Sequence, residues 1–93
     1  MHRTVRVLVA GRVQGVGYRA WLEQEAGARG LSGWVRNRRD GSVEALISGP
    51  STDVDAIVEA CRTGSRMAAV ENVIVADAVA DRDLRGFRTI ATV

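Results

Sequence analysis

Val5, Val7 and Val9 alternate with Arg6 and Leu8, a period-two rhythm that predicts a β-strand running into Gly11. Beyond a glycine-rich break, Tyr18, Leu22 and Ala26 fall four residues apart with Trp21 alongside. That spacing is the buried stripe of a helix ending near Gly27 or Gly30. The stretch "LSGWVRNRRDGSVEALISG" divides at Asp40-Gly41 into two β-type runs, and because this dipeptide tolerates positive φ the runs are expected to form an antiparallel hairpin. Val54, Ile57, Val58 and Cys61 occupy i, i+3, i+4 and i+7, the strongest helical periodicity in the chain. Pro50 opens this second helix, with either Ser51 as its cap or Thr52 and Asp55 as a capping box, and Gly64 closes it. "AVENVIVADAV" and "GFRTIATV" read as a fourth and a fifth strand.

The resulting order, β-α-β-β-α-β with an additional C-terminal strand, predicts an α+β ferredoxin-like sandwich: an antiparallel sheet with two helices on one face. No linker, repeat or low-complexity segment interrupts it, and 93 residues suffice for one core, so residues 1–93 are expected to form a single domain. The hydrophobic share of 46% and charged share of 26% exclude intrinsic disorder. No apolar run approaches the roughly 20 residues of a membrane span and no signal peptide is visible, so no membrane partner is expected and the cytoplasm is the default compartment. One cysteine, Cys61, allows neither an internal disulfide nor a cysteine-cluster metal site; the single histidine, His2, sits at a terminus expected to fray.

The chemistry concentrates in "GRVQGVGYR", Gly11 to Arg19. A loop leaving a strand and entering a helix can turn its backbone N–H groups toward one point, where the helix N-terminus adds partial positive charge. Gly15 and Gly17, with Gly11 behind them, permit the alternation of right- and left-handed backbone that builds such an anion nest. Arg19, on the first helical turn, is placed to clamp the anion from the side. Every basic residue other than His2 is arginine, so any anion here meets a guanidinium, which binds phosphate oxygens bidentately. The nucleotide-triphosphatase loop fails to match, because Gly17-Tyr18-Arg19 stands where Gly-Lys-Ser or Gly-Lys-Thr is needed. The dinucleotide fingerprint matches Gly15-x-Gly17-x-x-Ala20, with Asp40 about 20 residues on, but it needs a helical crossover where Asp40-Gly41 predicts a hairpin.

A third pattern spans nearly the whole chain: Gly11-x-Val13-Gln14-Gly15-Val16-x-Tyr18-Arg19, then Gly33-Trp34-Val35-x-Asn37, then Asp40-Gly41-x-Val43-Glu44, with Gly49-Pro50 and the later Gly64, Ala68 and Val70. This set resembles the acylphosphatase family of small ferredoxin-like enzymes. The resemblance implies hydrolysis of a carboxyl-phosphate anhydride to carboxylate and inorganic phosphate. It implies a phosphate cradle made by Val13, Gln14, Gly15, Val16, Gly17, Tyr18 and Arg19, and a water oriented by Asn37. An acyl phosphate, inorganic phosphate or another anion is the expected ligand. The enzyme is expected to be a monomer that needs no cofactor and no metal. Two positions depart from the family pattern. Ser65-Arg66 stands where proline is usual, and Thr89 where an apolar residue is; both concern the packing of the fifth strand and leave the loop and Asn37 unaltered.

Blander roles stand beside these. Arg19 can pair with Glu23 one turn on, and Asn37 can cap a turn. Tyr18, Trp21, Leu22, Val54, Ile57 and Val58 serve as core, and Cys61 reads as a small buried hydrophobe. Arg36, Arg38 and Arg39 read as a solvated face at the hairpin, or as a means of steering anions inward. An RNA-binding module shares the element order, and "RGFRTI" faintly resembles its aromatic strand motif. However, that segment lies on the last strand, and four aromatic residues and a net charge of +2 offer little to stack or neutralise a nucleic acid. A domain that acts only on a dedicated partner's substrate is the remaining alternative.

Overall fold

The computed structural model describes residues 1–81 and 83–93. Their elements are β1 (His2–Arg12), α1 (Tyr18–Ala28), β2 (Ser32–Asn37), β3 (Val43–Pro50), α2 (Ser51–Cys61), β4 (Ala69–Asp77) and β5 (Phe87–Thr89). The strands form one sheet in the order β4-β1-β3-β2-β5, with α1 lying over β2 and β5 and α2 over β1 and β3. This is the expected ferredoxin-like sandwich. One pair differs from the antiparallel expectation, since β5 runs parallel to β2.

Alternation along the strands puts Val5, Val7, Val9, Val35, Val43, Ala45 and Ile47 on the helix side, where they are buried against Tyr18, Leu22, Ala26, Val54, Ile57 and Cys61. Register locks this arrangement: Val5 faces Ile47 and Val7 faces Ala45, so a slip of one residue would turn the whole valine row outward. The other face carries a charged cluster. The Glu44 carboxylate is almost fully buried and is contacted by Arg6, by Arg36 Nε at 2.7 Å and by Arg38 Nη1 at 3.2 Å. Burial alone would raise the Glu44 pKa, but hydrogen bonds from Arg36 and Arg6 outweigh it and hold the group below the ordinary carboxylate value. Two arginines of the hairpin run are therefore tied to Glu44; only Arg39 of the three is exposed.

Gly33 is required by close approach. At φ 149°, an added Cβ would lie 1.8 Å from the Leu46 carbonyl oxygen and 3.0 Å from the Phe87 ring. Backbone cannot yield as a flexible side chain would, so only glycine lets β2 sit between β3 and β5.

Element ends adjust several expectations. The first helix ends where expected, at Ala28 between Gly27 and Gly30, with Arg29 as its C-cap, Leu31 N–H on the Ala26 carbonyl and Gly30 N–H on Gly27, a Schellman closure. The second begins at Ser51 with Pro50 in the cap position and no side-chain cap, contrary to both capping expectations. Asp55 is instead ion-paired to Arg3 across the chain, and the Ser51 N–H donates to the Met1 carbonyl. His2 does not fray; it opens β1 and its Nε2 lies 3.0 Å from Ser48 Oγ. The hairpin loop is Arg39-Asp40-Gly41, closed by Arg38 N–H on the Ser42 carbonyl at 2.8 Å. The fifth strand is shorter than "GFRTIATV" predicts. Beyond Thr89 the chain still bonds β2, Ile90 N–H to Val35 and Val93 N–H to Asn37, but it advances three residues against two and so leaves the regular ladder.

Candidate active site

At the end of β1 the pairing with β4 shifts between Ala10 and Gly11, a bulge that swings the chain off the sheet and into the loop before α1. Val13 anchors the loop from below, 1% exposed in the core. Gly15 and Gly17 take φ of 72° and 78°, and beyond its chain neighbours neither has an atom within 4 Å of where a Cβ would stand. The alternation of handedness expected from the glycines is thus present, and the space on that side of the loop is open.

The donors of this loop are unspent. Among the described residues, no backbone N–H from Gln14 to Arg19 donates to a protein acceptor; the first bond of the helix is Trp21 N–H to the Gly17 carbonyl at 3.0 Å. The N-terminus of α1 has no side-chain cap and no acidic residue in its first turn. Partial positive charge and free donors therefore coincide at one place, the condition for holding an anion.

A cavity of ≈ 270 Å³ opens here, lined by Val13, Gly15, Gly17, Tyr18, Arg19, Ala20, Glu23, Asn37 and Thr89. Five of the seven expected cradle residues border it, and so do both expected catalytic side chains. The other two cradle residues serve the loop from outside. The Gln14 side chain points to the hairpin, donating from Nε2 to the Arg38 and Ser42 carbonyls at 2.7 and 2.8 Å. Val16 packs against the core, and its carbonyl accepts from Ser65 Oγ at 3.1 Å. Ser65, one of the two positions that depart from the family pattern, therefore holds the loop.

Tyr18 is buried and contributes backbone, not a reactive hydroxyl: its O–H donates to the Cys61 carbonyl at 2.8 Å, and burial pushes its pKa up. Cys61 is buried as expected, and desolvation pushes its thiol up to about 11, which leaves it protonated and unreactive at neutral pH. Arg19 makes no ion pair among the described residues. The bland expectation that it pairs with Glu23 fails because Glu23 Oε2 instead accepts a bond from Thr89 Oγ1 at 2.7 Å.

Asn37 stands at the end of β2, its carbonyl accepting from Val93 N–H at 3.2 Å. Its side-chain Oδ1 is buried with no hydrogen-bond partner among the described residues. It does not cap a turn; Asp40 does that, accepting from Ser42 N–H and Oγ at 2.9 and 2.6 Å. Glu23 and Thr89 are cavity residues that the sequence reading missed. Thr89 departs from the family pattern at a position expected to concern strand packing, and its place is beside the site. Polarity at a position expected to be apolar was the available signal.

The family model described as Acylphosphatase matches residues 5–89. An acylphosphatase of Azorhizobium caulinodans is 57% identical over 93 residues, covering all of both chains. Among solved structures, acylphosphatase from Bacillus subtilis is similar with a TM-score of 0.89 and 39% identity, over 97% of this chain and 99% of that one. An acylphosphatase from Coxiella burnetii gives a TM-score of 0.90 at 32% identity, over 96% and 93%. Matched along its length in sequence and in fold, the chain belongs to the acylphosphatase family of acyl-phosphate hydrolases.

Proposed function

We propose that the chain hydrolyses acyl phosphates by direct attack of a water held by Asn37 on a phosphoryl group seated in the Val13 to Arg19 loop. One observation carries this reading: the N–H donors of the loop, the guanidinium of Arg19 and Oδ1 of Asn37, none of which has a bonded or ion-paired partner among the described residues, all meet at one cavity. Asn37 Oδ1 is the buried member, and a buried polar atom without a partner costs about 1–3 kcal/mol; the loop donors and Arg19 face open space, where an anion can displace water from all of them at once.

In this mechanism the loop amides and Arg19 hold the phosphoryl oxygens and stabilise the charge that builds on them in the transition state. Asn37 Oδ1 accepts a hydrogen bond from the attacking water and so fixes its direction. The water oxygen bonds to phosphorus as the phosphorus–oxygen bond to the acyl group breaks, and the electron pair leaves on the carboxylate. A carboxylate of low pKa needs no general acid to depart. The proton of the water passes to a phosphoryl oxygen. The reading extends to a monomeric, cytoplasmic enzyme that uses no cofactor and no metal ion, and whose product phosphate competes for the same loop.

Hydrolysis of acetyl phosphate in ¹⁸O-water tests the direction of attack. Attack at phosphorus puts the label in inorganic phosphate and leaves acetate unlabelled. Label recovered in acetate would contradict the mechanism.

A further inference from the structure

Every acyl phosphate presents the same phosphoryl head, so a loop that grips phosphate cannot discriminate among substrates; discrimination must come from the part of the cavity that meets the acyl group. Of the lining residues with polar side chains, Arg19 and Asn37 are assigned above and the Tyr18 hydroxyl is spent on the Cys61 carbonyl, which leaves Glu23 and Thr89. Glu23 lies one helical turn beyond Arg19 on α1, about 6 Å along the axis. Its carboxylate is held from β5 by Thr89, 66 residues away in the chain. A solvent-exposed hydrogen bond between two separate elements thus places one carboxylate on the wall of a cavity with the volume of a sphere about 8 Å across.

We propose that Glu23, held by Thr89, selects the acyl group. It favours acyl phosphates whose acyl portion is uncharged or carries a hydrogen-bond donor, and it disfavours those that carry a second carboxylate. The inference rests on the acylphosphatase reading of the cavity and deepens it. A carboxylate-bearing acyl chain in so small a space comes within about 6–8 Å of Glu23, where like-charge repulsion in a half-solvated pocket amounts to a five- to tenfold loss. A donor such as a carbamoyl amide reaches the same carboxylate as a charge-assisted hydrogen bond.

The bond to Thr89 has a second consequence. Glu23 stands at i+4 from Arg19, the spacing at which opposite charges on a helix pair and cancel. With Thr89 holding Glu23 aside, the guanidinium stays available to phosphate. Glu23 is a specificity-determining residue in this account and Thr89 a positioning residue; neither moves a proton in the reaction.

The test measures kcat/KM for acetyl, carbamoyl and succinyl phosphate with the unmutated protein, Glu23→Gln and Thr89→Val. Glutamine keeps an acceptor for Thr89 and removes only the charge. The expected result is that Glu23→Gln raises the succinyl-to-acetyl ratio five- to tenfold at low ionic strength, that salt shrinks this change, and that the carbamoyl-to-acetyl ratio falls. Thr89→Val is expected to raise KM for all three substrates and the inhibition constant of inorganic phosphate together, because the released carboxylate swings toward Arg19. A uniform change on all three substrates with Glu23→Gln, their ratios within twofold, would overturn the proposal and assign Glu23 a structural or proton-transfer role. An unmutated protein that turns over none of the three would sink the acylphosphatase reading first, and the selectivity with it.

Discussion

Asn37→Ala removes a side chain whose Oδ1 is buried without a hydrogen-bond partner among the described residues. A core or capping asparagine would lose bonds on this substitution and cost the fold about 1–2 kcal/mol. Here the side-chain oxygen has no bond to lose, and the backbone bond from Val93 N–H to the Asn37 carbonyl is untouched. Removing an unsatisfied acceptor relieves part of a desolvation penalty of about 1–3 kcal/mol. Unfolding free energy is therefore expected to stay level or rise by up to about 1 kcal/mol, a shift of about 4–8 °C in Tm at most for a chain of this length. Catalysis should move the other way. In the proposed mechanism, loss of one positioned hydrogen bond to the reacting water lowers kcat about 10²–10³-fold, with KM changed little because the proposal assigns phosphate capture to the loop and Arg19. Urea unfolding and steady-state phosphate release on one preparation read both quantities. A variant destabilised by more than about 2 kcal/mol, or one that keeps its kcat, would refute the assignment of Asn37 to the water.

Gly15→Ala places a methyl group in open space at φ 72°, so the fold should lose only about 1–2 kcal/mol of backbone strain; inorganic phosphate should inhibit this variant at least tenfold less well, which titration of the inhibition constant checks. Glu44 has a folded-state pKa below its unfolded one, so its pairing with Arg6, Arg36 and Arg38 contributes stability fully present above the unfolded carboxylate value and lost as pH falls through the lowered one. Glu44→Gln should accordingly cost about 2–4 kcal/mol at pH 7 and much less near pH 2, as urea midpoints across that range would record.

How far the sequence foretold this molecule depends on whether a feature is local. The valine alternation of β1, the four-residue stripe of α1 and the Val54-Ile57-Val58-Cys61 face of α2 are each written within a few residues, and the structure has them as read. Glycines 15 and 17 were legible for the same reason, since their left-handed backbone is a property of the loop itself. What escaped depends on register between distant strands. Glu44 gathers Arg6, Arg36 and Arg38 only because β1, β3 and β2 lie side by side, so a hairpin run of arginines read as a solvated face proved mostly tied down. Asp55 was drawn from a capping box to Arg3 in the same way. Thr89 meets Glu23 only because β5 joins the sheet parallel to β2, and no local pattern in "GFRTIATV" fixes that direction.

Phosphate release from acetyl phosphate, with a chelator present, compared between the unmutated protein and Arg19→Ala, decides whether the glycine loop and Arg19 form a phosphate cradle at which hydrolysis occurs. Arg19 lies half-buried on the first turn of α1 with no ion pair among the described residues, so its loss should leave circular dichroism and Tm unchanged. The proposed cradle predicts undiminished turnover by the unmutated protein in chelator and a loss of at least 10³-fold in kcat/KM for the folded variant. A folded Arg19→Ala protein that retains its kcat/KM would contradict it.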